Sequence, residues 1–545
     1  MRPPKLTHFG PPSGPPPRAG FHVPLWVGAL VGKVPLSARL NALFGESMAA
    51  NWLFLMAIAI GFFHGWIKYK YTGLVSTFAF DLPLTLALAV ALTGAAKDAW
   101  FPAANPIATQ LKVLCGVAVA YALIPLGVPL LAALAAFRAW VVIPLVFLLG
   151  YHVTRSVRQI EILLFLVMVL CAITVYFGAR QTPEEIRAMM AANPDLARRL
   201  SGTFFANADG SGGLRAFSTF VSAGAFGGTL STGGIIAFAY VTQPKVKPVL
   251  RLLYAAVLGL CLYGINLSGA RTAIAMLLMG IIASAWSRQR IVAYVVIPGA
   301  ALSVLGLGAL MDTARLERFS AILNPMEWWG RLAIVIGPGI SSLTDLPLGG
   351  GLGRSGHGVP YVFGSILPPW DVRMVDGDLG RIAVDFGIPG LCFFAALFFA
   401  GIRESVRWMV RFRNTSLQIL SICSGAVFVI AVINVGTGSP FLGVPGGALT
   451  WFLLGSMSRL ATVQGNILKA NPEGVWTDPR LIPFFSAPPV TTLTPPTGPL
   501  ELPVLEAPPR RRLLYSKAGS EPTPRERPSR SGKTRRLYGD KGDNQ

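Results

Sequence analysis

Long apolar stretches recur along most of this chain, and no other feature constrains its fold as much. The hydrocarbon core of a bilayer takes about 20 residues of helix at 1.5 Å each, and backbone polar groups inside it must be paired within the protein. Such stretches lie near 47–64, 75–95, 111–131, 138–153, 160–178 and 217–240. Six more lie near 249–267, 271–286, 291–310, 380–402, 415–435 and 447–463. The pattern predicts an all-α polytopic membrane protein with about 12 transmembrane helices. Two stretches differ from the rest, since 217–240 carries FSTFVSAGAFGGTLSTGG and 249–286 is interrupted by NLSGAR. Small residues let membrane helices approach closely, and glycine breaks a helix where it lines a cavity, so some non-helical backbone is expected there.

Composition supports this reading. Only 13% of the 545 residues are charged, about half the share usual in soluble domains. A secreted enzyme, a cytosolic enzyme and a nucleic-acid-binding protein are poor fits. Forty-seven Lys and Arg stand against 25 Asp and Glu, a net charge of +22, and much of the excess falls in short loops, where it sets membrane orientation. One set of loops holds Lys97, Arg155, Arg158, Lys245, Lys247, Arg288, Arg290, Arg403, Arg407, Arg411 and Arg413. The opposite set includes GTGSPFLGVPG at 436–446, without a basic residue, although Lys68 and Lys70 also fall on that side. This bias predicts both termini in the cytoplasm and the long connections 179–216 and 311–379 outside. Cys115, Cys171, Cys261, Cys392 and Cys423 all lie in apolar stretches without CxxC or CxxH spacing, which argues against a disulfide framework or a zinc site.

Three regions follow. Residues 1–45 are a Pro/Gly-rich, disordered or interfacial segment without the apolar core of a signal peptide. Residues 46–465 form the transmembrane domain. Residues 470–545 are a Pro/Arg-rich tail expected to be disordered and cytoplasmic, with Arg510 to Arg512 placed to touch anionic headgroups.

The chemistry-bearing residues are charges close to apolar segments on the outer side. Arg271 follows a Ser-Gly-Ala run in LSGARTAIAMLL, Arg215 lies in GGLRAFSTFVSAG, and Arg331 lies in NPMEWWGRLAIVIG, a segment that reads as an interfacial amphipathic helix. An arginine at a span edge is also a common headgroup contact. A planar guanidinium suits an oxyanion, and three of them could converge on a di-anionic ligand such as a lipid pyrophosphate. PLGGGLGRSGHGVPYVFG has glycines for a tight turn and one histidine, His357, a natural general base. Downstream, MVDGDLGRIAVDFGIPGLCFF places Asp376, Asp378, Arg381 and Asp385 at the start of a span. The spacing of the last three sets them on one helical face, with Asp385 expected to pair with Arg381. GIPG reads as a bend early in that helix. No HExxH or His-rich cluster supports a metal site.

Together RAFSTFVSAGAFG, LSGARTA, WWGR, DLPLGGGLG and the acidic segment ending in GIPG resemble the O-antigen ligase and polymerase family of bacterial membrane glycan assembly. The resemblance is strongest over residues 200–405. It implies a GT-C-like fold with a long outer loop before the tenth span. It also implies a metal-independent, inverting glycosyltransferase without a cofactor, multi-pass in the bacterial inner membrane. The donor would be an undecaprenyl-pyrophosphate-linked glycan at the periplasmic face. The acceptor would be lipid A-core for a ligase, or another lipid-linked glycan for an O-antigen or exopolysaccharide polymerase. By resemblance Arg215 and Arg271 hold the pyrophosphate, with Arg331 a third and Arg381 beside them. His357, Asp376 or Asp378 takes the acceptor's proton. VDGD stands where the ligases carry a His-Asn pair, which leaves ligase and polymerase both open. A secondary transporter of an anionic solute is the alternative from another class.

Overall fold

The structure is a computed structural model and describes residues 48–71, 78–94, 100–103, 105–124, 127–192, 204–206, 212–243, 246–286, 325–356, 372–373, 375, 377–412, 417–470 and 481. Helices dominate. In chain order they are α1 (Met48–Phe62), α2 (His64–Lys70), α3 (Asp81–Thr93), α4 (Pro106–Leu123), α5 (Leu130–Val153), α6 (Val157–Ala179) and α7 (Pro183–Ala192). A short antiparallel pair follows, β1 (Phe204–Ala206) with β2 (Gly212–Leu214). Then come α8 (Ala223–Val241), α9 (Pro248–Ser268), α10 (Arg271–Trp286), α11 (Pro325–Asp345), α12 (Asp378–Arg411), α13 (Gln418–Asn434) and α14 (Gly446–Ala470).

The class expected from the sequence holds: this is a helical, membrane-embedded protein. Fewer than the twelve expected spans are seen among the described residues. Among the described residues six helices are long and apolar enough to cross a bilayer, namely α4, α5, α6, α8, α9 and α12. A seventh span exists if α1 and α2, bent by 65° at Phe63, are taken as one. The differences have physical causes. Helix α3 has 13 residues, about 20 Å at 1.5 Å each, too short to cross a core of about 30 Å. Helices α10 and α13 are likewise short apolar elements. Helix α14 is long but carries Ser456, Ser458 and Gln464, all buried within the protein. The expected span at 291–310, the segment 1–45 and the tail from 482 onward lie outside the described residues.

Close packing in the interior depends on glycine. A Cβ at Gly455 of α14 would lie 1.9 Å from Phe147 O, and one at Gly150 of α5 would lie 2.2 Å from Phe452 O. The two backbones therefore touch, as small residues permit in membranes. Polar pairs seal the same region. Thr154 Oγ1 donates to Ser456 Oγ at 2.8 Å, and Gln159 Nε2 donates to Asn51 Oδ1 at 2.6 Å, both buried. Helix α5 is not regular, because residues 138–142 form a π-helical turn. Pro144 stands two residues after that turn. Proline removes an N–H and crowds the carbonyl four residues earlier, and a wider turn relieves that clash.

Candidate functional site

A cavity of about 1030 Å³ opens among α2, α3, α5, α8, α10, α12 and α13. Five cationic side chains line it, Lys68, Arg138, Arg215, Arg271 and Arg381, with Asp81 and His64 between them. Apolar helices surround it, so field lines from these charges are poorly screened and an anion is drawn in.

Arg215 and Arg271 come together through the NLSGAR interruption. Gly269 adopts φ +55°, the left-handed turn that ends α9. A Cβ there would sit 3.4 Å from Arg215 Cγ, an ordinary contact, so it is the left-handed turn rather than space that calls for glycine. Arg215 Nε donates to Ser268 O at 3.2 Å, and Ala216 N donates to Leu267 O at 2.9 Å. Arg271 then opens α10, where the positive end of the helix dipole adds to its charge. The non-helical backbone expected at 217–240 is confined to its first residues, since α8 is continuous from Ala223.

Arg381 reaches the cavity from one turn inside α12. Its guanidinium meets Ser439 Oγ and lies 3.6 Å from Asp378 Oδ1. The expected Asp385–Arg381 pair does not form. Asp378 takes that place, and its other oxygen accepts from Phe441 N at 3.0 Å while its own N–H donates to Gly438 O at 2.9 Å. Asp378 is thus buried behind Arg381, tying the 436–445 loop to the start of α12.

Asp385 does something else. It is fully buried and accepts from Ser355 N (2.8 Å), Ser355 Oγ (3.0 Å) and Trp140 Nε1 (2.9 Å). The bend read from GIPG is real, for Gly387 leaves helical geometry at φ 64°, ψ −153°. The carbonyls freed by that break receive the glycine-rich turn: Gly350 N donates to Val384 O at 2.8 Å and Gly351 N to Asp385 O at 3.2 Å, while Ile388 N donates to Pro347 O at 2.9 Å. Two motifs far apart in sequence are therefore one unit, and it delivers Ser355 and Gly356 to the cavity wall.

His357 and Asp376 lie outside the described residues, although Gly356 and Gly377 beside them line the cavity. Arg331 lies on α11, its side chain likewise undescribed. That helix exposes Met326, Trp329 and Ile334, and Ile334 reaches the cavity rim. Sequence reasoning missed Lys68, His64, Asp81 and Arg138. His64 shares the cavity with the other three. Asp81 carried a usable signal, as a carboxylate inside the apolar stretch 75–95 requires a partner. Among the described residues no group of three His, Cys, Asp or Glu side chains is arranged to hold a metal ion.

Comparison with known proteins returns no matching family model and no matching curated protein.

Proposed function

We propose that this chain is a membrane glycosyltransferase of the GT-C type, acting at the periplasmic face of the bacterial inner membrane as an O-antigen ligase or polymerase. It takes its glycan from undecaprenyl pyrophosphate and passes it to lipid A-core or to another lipid-linked glycan. About twelve spans with both termini cytoplasmic complete the reading. The observation that carries it is the cationic cavity, where Arg215 and Arg271 share one turn inside an apolar bundle. A pyrophosphate on a polyprenol has the matching chemistry: a compact anion on a long apolar chain.

In this reading an acceptor hydroxyl oxygen attacks the anomeric carbon as the bond from that carbon to the pyrophosphate oxygen breaks. The electron pair leaves with the pyrophosphate, the configuration inverts, and a base at His357, Asp376 or Asp378 receives the hydroxyl proton. Arg215, Arg271 and Arg381, with Arg331 as a further candidate, stabilise the charge developing on the leaving group, an effect worth about 10²–10³ in rate per donor removed. Asp378 already has a structural duty, accepting from Phe441 N and lying beside Arg381, which favours His357 or Asp376 as the base. The test is transfer by purified protein in lipid nanodiscs, with undecaprenyl-pyrophosphate-linked glycan as donor and both acceptors offered. Arg215→Ala and Arg271→Ala should each lower the rate by about 10²-fold or more, and Lys should rescue poorly because it lacks the planar fork. Wild-type protein that makes no product, yet carries an anionic solute into liposomes, would replace this reading with transport.

A further inference from the structure

The cavity wall contains a second polar set, built independently of the Arg215–Arg271 turn. His64 sits at the break between α1 and α2, edge-on to Phe80 with ring centroids 6.5 Å apart. Asp81 opens α3, and Arg138 occupies the first position of the π-helical turn in α5. Such turns often occur at functional sites. Arg138 donates to Asp81 Oδ2 at 2.6 Å. His64 is 8% exposed and Asp81 5%. His64 Nδ1 and Asp81 Oδ1 have no hydrogen-bond partner in the protein, and both residues line the cavity. An unsatisfied buried polar atom costs about 1–3 kcal/mol, and native structures rarely keep one without a ligand or water to meet it.

We infer that His64 and Asp81 form a second subsite of the cavity, which binds the hydroxyl groups of the glycosyl acceptor, with Arg138 as the positioning residue. The inference rests on the donor reading proposed above. The chemistry of the set selects the ligand class. Lys68 and Arg138 face His64 and Asp81 across this wall, and Asp81 offsets the charge of Arg138 and presents its own negative oxygens, which favours hydroxyls over a second pyrophosphate here. One carboxylate bonded to a guanidinium is a poor cation site. A carboxylate oxygen and a ring nitrogen with unmet capacity, both on residues lining one cavity, suit hydroxyls, which donate to the first and exchange a hydrogen bond with the second. Arg138 holds Asp81 through one oxygen and leaves the other for the acceptor.

The experiment measures both substrate dependences in the nanodisc assay, with undecaprenyl-pyrophosphate-linked glycan as donor and, in separate arms, lipid A-core or a second lipid-linked glycan as acceptor. Asp81→Asn and His64→Gln should each raise the acceptor KM roughly tenfold, the scale of one lost hydrogen bond to a charged or strongly polar group, with the donor KM unchanged. Arg271→Lys should do the reverse. Asp81→Asn and His64→Gln proteins that leave both KM values alone, or raise the two together, would overturn the subsite while leaving the donor reading intact. Loss of folded protein in both variants would assign the pair to folding and overturn it too. Wild-type protein that transfers to neither acceptor would remove the donor reading, and this inference with it.

Discussion

The seam between α5 and α14 and the inner wall formed by α8 are both rich in small residues, and they use them in opposite ways. In the seam, Gly150 and Gly455 bring backbone against backbone, and no side chain fits. On α8 the use changes within one step of the helix. A Cβ at Gly227 would meet Ser268 Oγ at 2.7 Å, whereas one at Gly228 would meet nothing within 4 Å, because Gly228 faces the cavity. The same residue serves contact in one place and volume in the other. A membrane bundle has no hydrophobic drive between helices, so close contact must come from shape, and a cavity must come from side chains left out.

Substitution separates the two uses. Gly455→Leu should have the largest effect, a destabilisation above about 3 kcal/mol, because the obstructing atom is backbone and cannot rotate away. Thermal unfolding in detergent measures it, and a wild-type midpoint would break the comparison. Asp385→Ala comes next. It leaves Trp140 Nε1 and Ser355 N without their acceptor in a buried site, at about 1–2 kcal/mol each. It should also loosen the glycine-rich turn, read as faster amide exchange over 349–356.

Gly228→Ala should cost no stability and gain up to about 1 kcal/mol from helix propensity, while slowing the proposed transfer by reducing the cavity. A melting midpoint lowered as far as in Gly455→Leu would show that α8 is packed there after all. The smallest effect belongs to the exposed pair Arg373–Asp345, at 2.7 Å. The hydrogen bond from Arg373, with its charge, holds the Asp345 carboxyl below its ordinary range. A lowered folded value means that the contribution is complete above the usual carboxylate pKa and disappears as pH falls through the folded one. Asp345→Asn should leave the midpoint at neutral pH within error, as exposed pairs do. A clear drop would place this pair in a wider network.

Much of the fold could be read from the chain, and less of the site. Helices α6, α9 and α10 fall close to their apolar stretches, because the pattern that makes a helix soluble in lipid is local. The bend at Gly387 was legible in GIPG, since glycine and proline act on their own backbone. The partner of Asp385 was not legible. Helical spacing pointed to Arg381, but Asp378 holds Arg381 and Asp385 bonds to Ser355 and Trp140, 30 and 245 residues away in sequence. Of the twelve stretches, six or seven are helices long enough to cross among the described residues, because hydropathy registers an apolar run but not where within it the helix starts and stops, as the 13 residues of α3 within 75–95 show.

By itself, the sequence determined the class of this protein: an apolar, glycine-interrupted chain whose backbone must close its hydrogen bonds in helices, with arginines set beside small residues. Tertiary structure alone decided which charges meet. Lys68 read as an exception to the charge bias, Asp81 as part of an apolar stretch and Arg138 as a span edge, yet all three join Arg215, Arg271 and Arg381 around one cavity. The reason is physical. Helix formation depends on neighbours a few residues apart, whereas convergence depends on the order and angle in which helices pack, and those follow from shape between segments far apart in the chain.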